Sequence, residues 1–89
     1  MKRAAAAVAL CTALLAQAAP DSVFIEDLTS PELRDALKAG TTTALVPVGG
    51  TEQSGPHLVL GKHNQRVRLL AERVARTLGH TLVAPVLAY

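Results

Sequence analysis

Between Val48 and Leu58 the chain reads Val-Gly-Gly-Thr-Glu-Gln-Ser-Gly-Pro-His-Leu. This short segment carries a carboxylate (Glu52), a hydroxyl (Ser54) and an imidazole (His57) among three glycines and a proline, and a second imidazole, His63, lies just beyond it. Carboxylate and imidazole groups hold zinc and related divalent ions, whereas a hydroxyl beside them is a weak ligand. A carboxylate can also take a proton from a reacting group. Plainer roles exist for each residue. Glu52 could be a solvated loop side chain or cap a turn, His57 could be a structural loop histidine, and His63 could simply open a helix. Gly49 and Gly50 allow close backbone approach, but neither Gly-x-Gly-x-x-Gly nor the P-loop pattern is present, so the phosphate signal is weak.

The elements around the segment should place it at the end of a strand. Residues 42–48, Thr-Thr-Ala-Leu-Val-Pro-Val, lack polar alternation from Ala44 onward, which suits a strand covered on both faces. Pro47 cannot donate to a ladder and belongs near the strand's end. A helix follows from His63 or Asn64. Its apolar stripe is Val67, Leu70, Ala71, Val74, Ala75 and Leu78, at a period of 3.6, and Gly79 closes it. Arg66, Arg68, Glu72, Arg73 and Arg76 fall on the far side, with Arg68–Glu72 and Glu72–Arg76 spaced as i,i+4 pairs. Leu69 sits among them, opposite the stripe. Residues 81–87, Thr-Leu-Val-Ala-Pro-Val-Leu, form a second apolar strand, completing a βαβ unit with parallel strands. Upstream, Phe24 to Leu28 is a short lead-in. Thr29 with Glu32 then fits a capping box, or Ser30 caps with Pro31 at the first helical position; Leu33, Ala36 and Leu37 form that helix's apolar side, and Gly40 ends it. In open α/β sheets, ligands bind outside the carboxyl ends of the strands, where the Glu52 loop leaves its strand.

The first residues read differently. Met1-Lys2-Arg3 is a basic head, Ala4 to Leu15 is apolar, and Ala16-Gln17-Ala18 is a small-residue cleavage pattern. These are the parts of a secretory signal peptide over residues 1–18, too short to span a membrane, and they imply an exported product, periplasmic or secreted. Its removal takes Lys2 and Arg3, so seven basic side chains face seven acidic ones, and the basic balance of the full chain is a property of the export signal. The only cysteine, Cys11, lies in that signal, so no disulfide framework is available. Phe24 and Tyr89 are the only aromatics, which argues against base stacking and nucleic-acid binding. After signal removal no membrane partner is expected. The remaining residues 19–89 are few for an independent core without staples. Two buried strands also leave faces and edges to cover, so residues 19–89 read as part of a larger domain.

The segment Pro47 to Leu58 resembles the signature of the creatinine amidohydrolase (creatininase) family, Pro-Val-Gly-Ser-x-Glu-Gln-His-Gly-Pro-His-Leu-Pro with an Asp soon after. The likeness runs from Ile25-Glu26-Asp27-Leu28-Thr29 to Ala84-Pro85-Val86. It implies an α/β fold of three α/β/α layers on a parallel sheet, of which this chain carries the N-terminal βαβ part. It also implies a metal-dependent hydrolase that opens a cyclic or linear amide bond of a small-molecule substrate. A homo-oligomer is left open. By the resemblance, Glu52 matches a metal ligand, His57 matches a histidine better suited to orienting the ligands, and the cofactor is a divalent ion, zinc or manganese. Two positions depart from the signature. Ser54 stands where the family has a ligating histidine and His63 where it has a bridging aspartate; His63 is then a substitute ligand and Ser54 a hydrogen-bonding group beside the site. Imidazole bridges two metals poorly. The departures therefore keep a second reading open, a non-catalytic binding protein on the same fold with a degenerate metal site.

Overall fold

The computed structural model describes residues 20–89. The signal peptide read over residues 1–18, and its cleavage position, lie outside the described residues. The element order is a 3₁₀ turn (Ile25–Asp27), α1 (Ser30–Lys38), β1 (Thr43–Leu45), α2 (Lys62–Leu78) and β2 (Thr81–Val83). No described helix is long and apolar enough to cross a membrane.

Helix α1 begins as its sequence requires. Thr29 Oγ1 accepts from the Glu32 N–H, and Glu32 Oε1 accepts from the Thr29 N–H at 2.8 Å, so the capping box is complete and Thr29, not Ser30, is the cap. Helix α2 starts one residue earlier than its apolar pattern suggests, at Lys62 after Gly61, and ends at Gly79, whose φ of 71° lies in the left-handed region.

Strands β1 and β2 are parallel, with Thr43 opposite Thr81 and Leu45 opposite Val83, joined through α2 in the βαβ order. Beyond the regular ladder the two segments meet again where Val48 pairs with Leu87. The register has slipped by one residue between these points, and the extra residue falls within Ala84-Pro85-Val86. A proline there removes a donor that a regular ladder would need, so the slip is a bulge at the place where it costs least. The bonds Gly49 N–H to Leu87 O (2.8 Å) and Leu87 N–H to Pro47 O (2.9 Å) then hold the chain straight into the Glu52 loop.

The lead-in does more than its sequence indicates. Phe24 forms a parallel bridge with Val83, and the Val83 N–H donates to Val23 O at 2.8 Å, while the next N–H, of Ala84, donates to Leu45 O. β2 is therefore central, with β1 on one side and the lead-in on the other. Phe24, Ala71, Ala75 and Val83 form the core cluster. Arg68 lies over the Phe24 ring, 3.7 Å from its centroid, and pairs with Glu26; it does not take up the expected i,i+4 pair with Glu72, which Arg76 alone completes.

Two burial expectations change. β2 is fully buried, but Thr43 and Ala44 of β1 are exposed, because among the described residues nothing covers that strand's outer side. The α2 stripe is buried only at Ala71 and Ala75; Leu70, Val74 and Leu78 are each about half exposed. The two-stranded sheet is narrower than the apolar face of the helix, so only its middle is covered. Leu69 is exposed, as its position opposite the stripe requires.

Candidate metal and substrate site

The loop leaving β1 and the first turns of α2 enclose an open cleft of about 570 Å³. Glu52 comes to it from the loop. His63, Arg66, Val67 and Leu70 come from one face of α2, and Tyr89 comes from the segment after β2. Val67, Leu70 and Tyr89 are the larger apolar side chains of its lining.

Glu52 Oε1 and His63 Nε2 stand 3.0 Å apart, a hydrogen-bonded carboxylate–imidazole pair. The Glu52 side chain is two-thirds exposed and that of His63 about two-fifths, so both remain within reach of a ligand. Lys62 Nζ donates to the Glu52 backbone carbonyl at 3.4 Å.

Asn64 fixes how the loop meets the helix, a role its sequence position did not reveal. Its Oδ1 accepts from the Gly50 N–H at 2.9 Å, and its Nδ2 donates to Thr51 Oγ1 at 3.0 Å. One side chain on α2 thus ties down the two residues that precede Glu52, next in sequence to His63. Gly49 is what permits the approach, because a Cβ there would overlap Asn64 Oδ1 and stand 3.1 Å from the Asn64 Cα. The local signal was the Gly-Gly pair; its partner became visible only in the fold.

The other two predicted site residues lie apart from this cleft. Ser54 is half-buried in the turn that follows Glu52, and His57 is exposed with its ring beside Gly55. Neither lines the cleft, and neither side chain hydrogen-bonds to another described residue. The turn itself is made by Gly55, at a φ of 94°, whose N–H donates to Gln53 Oε1 at 2.8 Å. Arg66 is exposed, as expected of the solvated face, and also lines the cleft.

The pair fits a divalent ion in kind and in spacing. Two donors held about 2.0–2.1 Å from a tetrahedral zinc are about 3.3 Å from each other, close to the observed separation. It does not fill a site alone. Such ions take three or four protein ligands, and among the described residues no three His, Cys, Asp or Glu side chains come together.

Comparison with known proteins decides the family. The creatinine amidohydrolase (creatininase) family model matches residues 26–89. The chain belongs to the creatininase family. It is 33% identical over 67 residues to the 3-dehydro-scyllo-inosose hydrolase of Thermotoga maritima. Two solved creatininases with single tryptophan substitutions superpose on it with a TM-score of 0.70 at 35% identity, over 78% of this chain. The α/β class and the βαβ unit are therefore those of the creatininase fold. The chain spans 21% of the curated hydrolase and 26% of the solved creatininase chains.

Proposed function

We propose that the cleft is part of a metal-dependent site that hydrolyses the C–N bond of a small cyclic or linear amide, and that Glu52 and His63 are two of the protein ligands. The observation that carries this reading is the Glu52–His63 pair, closed at 3.0 Å from two different elements in a creatininase-family chain. The remaining donors come from outside the described residues. When bound, a zinc or manganese ion would polarise the amide carbonyl or lower the pKa of a water. The chain's own contribution is positioning. Asn64 holds the loop so that Glu52 faces His63, and Val67, Leu70 and Tyr89 give the cleft an apolar lining. Export and removal of residues 1–18 belong to the same reading.

The test is metal analysis of protein expressed from its native gene and purified under non-chelating conditions. Glu52→Gln and His63→Ala are expected to lower divalent-metal content together, and Ser54→Ala to leave it near the parent value. A second reading, a non-catalytic binding protein, is favoured by the two departures from the family signature, Ser54 and His63. Metal content unchanged in both variants, or absent from the parent, would make it the better account.

A further inference from the structure

We infer that Arg66 is an anion anchor, and that the small amide taken by this cleft carries a carboxylate or an equivalent oxyanion at a distance from the bond to be cut. The inference rests on the cleft being the substrate site proposed above. Three observations carry it. Arg66 lies on the same face of α2 as His63, one turn further along, and lines the cleft with the Glu52–His63 pair. Of the other three α2 arginines, Arg68 is engaged with Glu26 and the Phe24 ring and Arg76 with Glu72 and Asp21, while Arg73 does not line the cleft. Arg66 makes no ion pair and no side-chain hydrogen bond among the described residues, although Glu52 shares its cleft. The Glu52 carboxylate is bonded to His63, and the planar fork of the Arg66 guanidinium can meet a ligand in the cleft they share.

The chemistry follows from this division. A guanidinium takes a carboxylate through two parallel N–H···O bonds, which fixes orientation as well as adding affinity. Held so, a substrate's amide can lie toward Glu52 and His63 and its carbon skeleton against Val67, Leu70 and Tyr89. Lys62 does not compete for this role, since its ammonium is turned to the Glu52 backbone carbonyl.

The experiment compares N-acetylglycine with its neutral counterpart N-acetylglycinamide. Binding is measured calorimetrically on protein expressed from its native gene and stripped of metal with a chelator. Removing the metal separates an arginine-held carboxylate from one held by an ion. The acid is expected to bind about tenfold or more tightly than the amide. Arg66→Gln should abolish that preference, Arg66→Lys should keep part of it, and both variants should regain the parent's metal content when reloaded. Equal binding of the two probes, no binding of the acid, or a preference that survives Arg66→Gln overturns the inference. Retention of metal by the Arg66 variants, set against its loss in Glu52→Gln, keeps a failure here distinct from a failure of the metal site.

Discussion

Replacing Asn64 with alanine removes both bonds that join α2 to the loop before Glu52. The Gly50 N–H is half-buried and loses a 2.9 Å acceptor; the Thr51 hydroxyl is exposed and can turn to water. A net hydrogen bond contributes about 0.5–1.5 kcal/mol, and alanine regains a few tenths through its helix propensity, so the expected cost is about 1 kcal/mol. Gly49→Ala acts on the same contact from the other side. Its new Cβ would overlap Asn64 Oδ1, and overpacking of this kind costs about 1–3 kcal/mol. The two changes should not add. With Asn64 truncated the overlap with Oδ1 is gone, and only the 3.1 Å approach to the Cα remains. The double variant should therefore be less destabilised than the sum of the singles by about 1 kcal/mol. The measurement is urea unfolding followed by far-UV circular dichroism on the four proteins of the cycle, each expressed from its native gene. Independent sites add within about 0.3–0.5 kcal/mol. Additivity within that margin would refute the clamp, as would an Asn64→Ala variant as stable as the parent.

Two further outcomes follow from the structure. Residues 20–89 alone should be marginally folded, because their buried apolar residues are Phe24, Ala71, Ala75, Leu82 and Val83, while Val46, Leu70, Val74 and Leu78 stay open to water; heating should give a broad, weak transition or aggregation, and a sharp reversible one above roughly 60 °C would contradict this. The carboxyl of Glu32 is held below its ordinary pKa, first by the Thr29 backbone N–H and then by the Thr29 hydroxyl. The ionised form is the one that caps α1, so the box is complete above the ordinary glutamate range and is lost as pH falls through the depressed value. In an NMR titration Thr29→Ala should move the Glu32 midpoint only part of the way back, since the backbone donor remains; a full return, or none, would contradict that order of causes.

Features set by neighbours in the chain are legible in the amino-acid sequence alone. The capping box at Thr29 and Glu32, the helix stop at Gly79 and the parallel pairing of two apolar runs around an amphipathic helix all form as their residues require. Each depends on propensity, periodicity or a contact within one turn, so composition and spacing carry the information. The segment Pro47 to Leu58 likewise indicates the creatininase family by itself, because a motif is local by construction.

What the tertiary structure decided involves partners far apart in sequence. Phe24, a lead-in by its sequence, closes the other side of β2 and enters the core, because the strand that receives it lies some sixty residues later. The α2 stripe is only partly buried, since its burial depends on the width of the sheet beneath it and not on its own period. Asn64 has the sequence of an ordinary helix-start residue, yet its amide bridges Gly50 and Thr51. Arg66 has the sequence of a solvated charge and is exposed, yet it shares a cleft with Glu52 of the preceding loop. Helical periodicity assigns a residue to a face, but which faces meet is settled by packing between distant segments, and that packing puts one exposed arginine, Arg66, in the lining of a cleft and leaves another, Arg73, outside it.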